Sequence, residues 1–231
     1  MDEAAQHEAA SPEYWRERWE DGRTGWHRDG INPALAQWWG RLEVDPAAAV
    51  LVPLCGASLD LRWLAGQGHR VVGVEASGLA LERFFAEAEV EPEDRRVGAY
   101  RLLEAGTVHL FEGDWFGFEA VGAGPFPAAY DRAALIAMPP GMRDAYMAQL
   151  HRLVAPGGQV LLVTFEYPQE TREGPPFSVE EDEVRALAAG RFEVELLDRV
   201  DLRGKEERFD GPDVAYLSEA IFRLTRLSDE A

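Results

Sequence analysis

The sequence VLVPLCGASLDLRWLAGQGHRVVGVEA, at residues 50 to 76, constrains the fold more than any other part of this chain. An apolar run ends in a tight turn at Cys55 and Gly56, an amphipathic segment follows, and a second apolar run ends on Glu75. This succession of strand, turn, helix, strand and acid is typical of an open α/β sheet that holds a nucleoside. In such sheets the first turn approaches the ligand with bare backbone, and the acid accepts hydrogen bonds from the ribose hydroxyls.

The glycine content of the first turn narrows the choice of ligand. Dehydrogenases that bind a dinucleotide carry G-x-G-x-x-G at this place, whereas this turn offers the single glycine Gly56. A nicotinamide dehydrogenase is therefore disfavoured, and S-adenosylmethionine, a nucleoside without a pyrophosphate, is the expected ligand. Leu54 and Gly56 would back this ligand. Glu75, which lies 19 residues after Gly56, would hold its ribose.

Length and composition predict one globular domain. The 231 residues, of which 46% are hydrophobic, suffice for a full core. We expect a single domain over residues 1–231, with a disordered tail at 1–10, an N-terminal helical lid at 11–45 and a Rossmann-like core at 50–226. The only cysteine, Cys55, has no neighbouring base, so a buried inert thiol is expected and a multi-cysteine metal site is excluded.

Charge and hydropathy limit the partners. The net charge of -19 would repel phosphate backbones and anionic lipid, so we expect no nucleic-acid partner. No apolar segment reaches the 18 or so residues that would predict a membrane span, and no signal peptide is visible, so we expect no membrane partner and a cytoplasmic location. A monomer is the default oligomeric state.

The order of predicted elements defines the fold class. Five strands that alternate with helices, followed by a hairpin, predict an α/β fold with a mostly parallel seven-stranded sheet, one antiparallel strand and helices on both faces. Ser11 and Asn32, each followed by proline, are predicted helix N-caps. Residues 89–101 are predicted to be irregular. Ser178 is predicted to open a capping box.

Two pairs of neighbouring residues, Asp114 with Trp115 and Asp131 with Arg132, lie at the ends of predicted strands, where ligands of such sheets bind. Asp114 and Trp115 would lie beside the adenine, where the carboxylate could take its amino group and the indole could stack on it. Arg132 could clamp the carboxylate of the donor's methionine part. The structural alternative is an Asp131–Arg132 pair that stabilises the strand end.

Aromatic residues before the core suggest a cover for the ligand. Trp15 and Trp19 share one helical face, and Trp26 and His27 follow. They could form a lid that excludes water. The alternative is an aromatic face that packs on the sheet, and a lone histidine is more often structural than catalytic.

Several segments together resemble the thiopurine S-methyltransferases, especially the bacterial members. They come in the family's order over nearly the whole chain: YWRERW at 14–19, TGWH at 24–27, VLVPLCGASLDLRWLAGQGHRVVGVEAS at 50–77, YDRAALIAMPP at 130–140, LLVTFEYPQ at 161–169 and GPPFSV at 174–179. The resemblance implies a class I methyltransferase fold. It also implies S-adenosylmethionine as methyl donor, S-adenosylhomocysteine as product, and no metal.

The resemblance also assigns residues. By motif position, donor binding falls on Trp19, Leu54, Glu75 and Arg132. Arg208, in the charged EERF segment, falls on the acceptor side. Apart from the resemblance, we expect the lid residues Trp26 and His27 to contact the acceptor as well. Most relatives have lysine after PLCG, where this chain has Ala57, and this difference bears on acceptor preference.

The expected activity is methyl transfer to small aromatic or heterocyclic thiols by in-line displacement. Bacterial relatives also suggest selenium or tellurium compounds as acceptors. Asp131 and Arg132 are the candidate catalytic residues. No indispensable general base is expected, and Asp131 and His27 would be the first to test. The alternatives are a related thiol or halide methyltransferase and a non-catalytic sensor of S-adenosylmethionine.

Overall fold

A computed structural model of the protein describes residues 11–206, 209 and 214–228. The expected tail at 1–10 and the acceptor-side candidate Arg208 lie outside the described residues. None of the helices within these ranges is long and apolar enough to cross a membrane.

One mixed sheet of nine strands runs through the described part of the chain, in the order β3-β4-β5-β2-β1-β6-β7-β9-β8. The five central strands, from β5 to β7, are parallel. The strand bounds are β1 Ala49–Pro53, β2 Arg70–Glu75, β3 Glu93–Val97, β4 Tyr100–Ala105, β5 Val108–Glu112, β6 Phe126–Arg132, β7 Val154–Glu166, β8 Phe192–Asp201 and β9 Ser218–Arg226.

Helices cover both faces of this sheet because its central strands are apolar on both sides. Along β1, Val50 and Val52 belong to one hydrophobic cluster and Leu51 to the other. The helix bounds are α1 Pro12–Glu20, α2 Pro33–Trp38, α3 Asp60–Gly66, α4 Gly78–Glu87, α5 Pro140–Leu153 and α6 Glu181–Ala188. Helices α2, α3 and α4 pack into the first cluster, and α5 and α6 pack into the second.

Both predicted N-caps of the amino-terminal helices are confirmed. Ser11 Oγ accepts a hydrogen bond from Tyr14 N at 3.1 Å, and Asn32 Oδ1 accepts one from Ala34 N at 2.7 Å. The proline that follows each cap occupies the first turn of its helix, where no backbone donor is needed.

The sheet is wider than predicted. The segment 89–101, predicted to be irregular, contains β3 and the start of β4, and two strands, β4 and β9, run antiparallel to the centre instead of one. Strand β3 has the sequence EDRRV, without an apolar alternation. Cross-strand ion pairs stabilise it instead: Arg95 with Glu104 and Arg101 with Asp94, each at 2.9 Å.

The predicted capping box at Ser178 is wrong. Helix α6 begins at Glu181, and its N-cap position is Glu180. The Ser178 hydroxyl accepts a hydrogen bond from Tyr167 N at 3.0 Å. Ser178 therefore anchors the loop after β7 to the end of that strand, which matters for the cavity described next.

Candidate functional site

A cavity of about 570 Å³ lies at the carboxyl ends of the central strands. Its walls come from α1 and the segment after it, from the turn after β1, from the ends of β2 and β6, and from the loop 171–176. This is where open α/β sheets bind their ligands. Of the predicted site residues, the structure brings Trp19, Trp26, Leu54, Glu75 and Arg132 together in this cavity.

Glu75 is a buried acid in the wall of the cavity, with 5% of its surface exposed. Its Oε2 accepts a hydrogen bond from Gly56 N, and its Oε1 accepts one from Ser77 N, both at 2.9 Å. Burial raises the pKa of Glu75, although the two backbone donors act against that rise. Ala76 N is a third backbone donor to this carboxylate, and the rest of its roughly four acceptor positions is left for ligand hydroxyls.

The turn after β1 has an unusual backbone. Leu54 has φ 46° and Gly56 has φ 52°, in the left-handed backbone region that residues other than glycine avoid. Ala133, after β6, has φ 69° and also lines the cavity. Left-handed alanine and leucine residues cost free energy and cluster at functional sites. A Cβ at Gly56 would lie 3.1 Å from the Trp19 ring, so only glycine lets the turn approach the lid this closely.

Arg132 lines the cavity, whereas its neighbour Asp131 does not. Arg132 Nη1 donates a hydrogen bond to the carbonyl oxygen of Trp26 at 3.1 Å, which ties the end of β6 to the segment after α1. Asp131 is fully buried, and its carboxylate accepts hydrogen bonds from the Tyr146 hydroxyl at 2.6 Å and from Leu135 N at 3.2 Å. Burial raises the pKa of Asp131 to about 6. Asp131 is not among the residues that line the cavity, and its catalytic role stays a prediction.

Three tryptophans build the lid. The ring of Trp26 makes edge contacts with Trp15 at 5.0 Å and with Trp19 at 5.9 Å between centroids. Trp19 is only 5% exposed, although it lies on a surface helix. Helix α1 therefore covers the cavity with its aromatic face and limits the access of water.

His27 lies beside the lid but outside the large cavity. It lines a neighbouring space of about 40 Å³, together with Ala57 and Asp60. Burial and the charge of Arg83 lower the pKa of His27, so its imidazole is neutral near pH 7. Ala57 is 1% exposed and belongs to a hydrophobic cluster. It is uncharged and does not line the large cavity.

The expectation that Trp115 stacks on the ligand is not supported. The Trp115 ring is 3% exposed, stacks on Tyr146 at 5.4 Å and lies outside the cavity wall. Asp114 is exposed, and its carboxylate accepts a hydrogen bond from Phe116 N at 3.2 Å. Asp114 stays a predicted adenine contact at the end of β5.

Several cavity residues escaped the sequence analysis. The loop 171–176, Phe165, Phe209 and Arg18 all line the cavity. The loop is held by hydrogen bonds from the Tyr167 hydroxyl to Pro176 O at 2.6 Å and from Phe177 N to Ile136 O at 2.7 Å. Arg18 could have been found from its position three residues after Trp15, on the same helical face. Residues 174–176 of the loop belong to the GPPFSV motif, whereas residues 171–173 carry no comparable signal.

Cys55 is an inert thiol. It is buried, and the loss of solvent together with the charge of Glu75 raises its pKa well above the usual range. A thiol that stays protonated is a poor nucleophile. Within the described ranges no group of three or more histidine, cysteine, aspartate or glutamate side chains could hold a metal ion.

Comparison with known proteins places the whole chain in a sequence family. Residues 10–227 match the family model described as thiopurine S-methyltransferase. A thiopurine S-methyltransferase of Bordetella petrii is 43% identical over 214 residues, which cover 93% of this chain and 98% of the relative. One of Xanthomonas campestris is 42% identical with the same coverage.

Solved structures share the fold at low sequence identity. The 1,6-didemethyltoxoflavin-N1-methyltransferase of Burkholderia thailandensis, solved with 1,6-didemethyltoxoflavin and S-adenosylhomocysteine, has a TM-score of 0.67 and 19% identity. The matched region covers 99% of this chain and 92% of that one. An arsenic(III) S-adenosylmethionine methyltransferase from Chlamydomonas reinhardtii has a TM-score of 0.59 and 15% identity, over 82% of this chain and 67% of that one.

Proposed function

The chain belongs to the thiopurine S-methyltransferase family, and from this premise we propose that it transfers the methyl group of S-adenosylmethionine to the sulfur of a small aromatic or heterocyclic thiol. The observation that carries the proposal is Glu75. It is a buried carboxylate in the cavity wall, held by the backbone of two turns and with acceptor positions to spare.

The residues of the cavity fit the donor. Its volume of about 570 Å³ lies within the usual range for small-molecule sites. The remaining acceptor positions of Glu75 suit the ribose hydroxyls. The bare backbone at Gly56 allows the nucleoside to approach. Arg132 donates one hydrogen bond to Trp26 O, and its other N–H groups are available for the carboxylate of S-adenosylmethionine.

The remaining walls fit a flat, apolar acceptor. Trp15 and Trp26 line the cavity on the lid side. Phe165, Phe209 and the loop Gly174–Pro176 line it elsewhere. Aromatic walls of this kind favour a planar ring through area burial and edge or face contacts. The acceptor would therefore bind between the lid and the loop.

The chemistry needs alignment more than acid-base groups. S-adenosylmethionine supplies a sulfonium-bound methyl carbon, which a sulfur lone pair attacks in line while the bond from carbon to the donor sulfur breaks. An aromatic thiol enters as its thiolate, having lost its proton to solvent. The chain aligns the two reactants, which can lower the barrier by roughly 7–11 kcal/mol. It also excludes water through the buried Trp19 of the lid.

Neither candidate base lines the large cavity. Asp131 bonds to Tyr146 and Leu135, and His27 lies in the smaller neighbouring space. Arg132 instead contributes positive charge near the donor's carboxylate. We therefore assign it a binding role and expect no essential general base.

The proposal extends to the setting of the protein. We propose selenium and tellurium compounds as further acceptors, since their anions attack carbon in the same way. The acidic surface, with a net charge of -19, disfavours nucleic acid as a partner. We propose a cytoplasmic monomer that acts on small molecules.

The test is methyl transfer from isotope-labelled S-adenosylmethionine to a panel of aromatic thiols, selenols and halide ions. We expect labelled thioethers as the main products. Labelled methyl halides in their place would favour the halide methyltransferase alternative. Tight donor binding without turnover of any acceptor would favour a sensor and contradict the proposal.

A further inference from the structure

Arg18 lines the cavity with a positively charged side chain that the proposed function does not yet use. It lies in the last turn of α1, and its guanidinium stacks over the Tyr14 ring at 4.6 Å. Within residues 11–206, 209 and 214–228, no carboxylate pairs with this guanidinium. Its Nε atom is buried and has no hydrogen-bond partner there. The same holds for Trp15 Nε1, one helical turn earlier.

Stacking on Tyr14 holds the guanidinium of Arg18 in place but gives its Nε–H no hydrogen-bond acceptor. Stacking on an aromatic ring uses the face of the guanidinium, whereas its five N–H donors lie in the plane of the group. A buried donor without an acceptor costs free energy. A ligand that brings oxygen atoms to this wall would recover that free energy.

The charges around the cavity point to an anion. Arg18, Arg132 and Arg172 all line the cavity of a protein whose net charge is -19. Among the described residues, the acids in the wall are Glu75, which is engaged by backbone donors, and Glu173. Arg172 stacks over Phe209 at 4.5 Å. Cations concentrated in one cleft raise the local concentration of anionic ligands.

We propose that Arg18 binds an anionic substituent of the methyl acceptor, and that the preferred acceptors are aromatic or heteroaromatic thiols carrying a carboxylate or a similar oxyanion group. This inference rests on the proposed function, in which Arg132 serves the donor's carboxylate. A planar carboxylate matches the fork of a guanidinium in two parallel hydrogen bonds. Arg18 is then a specificity-determining residue on the acceptor side.

The test compares 2-, 3- and 4-mercaptobenzoate with the corresponding mercaptobenzamides, which keep the ring and the position of the thiol but lack the negative charge. The variants are Arg18→Gln and Arg18→Lys. Arg23→Gln is the matched control, because Arg23 is 53% exposed and pairs with Asp21 outside the cavity. KM and kcat are measured for each thiol, and the donor Kd is measured by calorimetry.

In the wild type, we expect at least one mercaptobenzoate to exceed its amide in kcat/KM by about tenfold or more. Arg18→Gln should remove this preference through KM and leave the amides and the donor Kd unchanged. Arg18→Lys should keep part of the preference, because lysine retains the charge but not the fork. Arg23→Gln should behave as wild type.

Two results would overturn the assignment of Arg18 while leaving the proposed function intact. One is a wild-type enzyme that methylates the amides at least as well as the acids. The other is an Arg18→Gln variant that loses donor affinity but keeps the preference for acids. The first result overturns the assignment even if the variants do not fold, whereas a preference for the acids is traced to Arg18 by the Arg18→Gln and Arg18→Lys variants. Donor binding without methylation of any thiol would instead contradict the proposed function, and this inference with it.

Discussion

At the residue scale, Glu75 makes the clearest prediction. Glu75→Ala should weaken donor binding about tenfold or more, because two charge-assisted hydrogen bonds to the ribose are lost. Calorimetry with S-adenosylhomocysteine measures the effect. Glu112→Ala is the matched control, since Glu112 occupies the paired position on the neighbouring strand β5 but does not line the cavity. Equal affinities for wild type and Glu75→Ala would rule out the ribose contact.

Asp131 predicts a pH dependence of stability. Its folded-state pKa of about 6 is raised by burial above the value of about 3.9 in an unfolded chain. Protonation therefore favours the folded state. The corresponding stability is full below about pH 4 and is lost as the pH rises through about 6, with a limit of about 3 kcal/mol.

The comparison of wild type with Asp131→Asn isolates this effect, because the asparagine cannot ionise. The free energy of unfolding of the wild type, relative to the variant, should fall as the pH is raised from 4 to 8. Chemical denaturation at a series of pH values measures it. A wild type that gains stability relative to the variant over this range would show that the Asp131 pKa is depressed, against the prediction.

At the scale of elements, the turn after β1 and helix α1 depend on each other. Gly56→Ala places a Cβ at φ 52° and 3.1 Å from Trp19. Gly106→Ala meets the same backbone strain, at φ 57°, but has nothing within 4 Å. Strain of this kind costs about 1–2 kcal/mol. Both variants should lose stability in urea denaturation, but only Gly56→Ala should also weaken donor binding, because it displaces the lid. Similar donor affinities in the two variants would mean that the turn and the lid are independent.

The central elements could be predicted from sequence because their signals are local. Apolar runs and glycine turns located β1 and β2, and the second run ends on Glu75, which is also the last residue of β2. Strand β3 could not be found in this way, since its sequence EDRRV has no apolar alternation and its pairing with β4 combines the backbone ladder with cross-strand ion pairs. The paired residues lie nine and seven positions apart across a hairpin, so only a search for opposite charges on either side of a turn would have linked them.

The candidate site, too, contains residues that local sequence signals predicted and residues whose place depends on tertiary packing. Leu54, Glu75 and Arg132 follow predicted strands, so the rule for strand ends brought them together. Trp115 follows the same rule, but its ring turns into the core against Tyr146. The side-chain direction depends on what packs there, which the order of elements does not reveal. The loop 171–176 was missed because its place over the cavity depends on contacts with Ile136 and Tyr167.

At the scale of the whole molecule, the site exists only in the folded chain. Its walls range from Trp15 on the first helix to Phe209 near the last strand. The sheet brings Glu75 and Arg132 together at the carboxyl ends of its central strands, and the lid and the loop lie over these ends. The account therefore claims one cavity that holds the donor against the sheet and the acceptor between the lid and the loop.

A crystal structure of the protein with S-adenosylhomocysteine tests this claim most directly. The account predicts the ribose hydroxyls within hydrogen-bonding distance of both Glu75 oxygens. It also predicts the amino-acid carboxylate on Arg132 and the sulfur facing the space between Trp26 and the loop 171–176. A nucleoside bound outside this cavity, or one inside it whose ribose does not contact Glu75, would contradict the account.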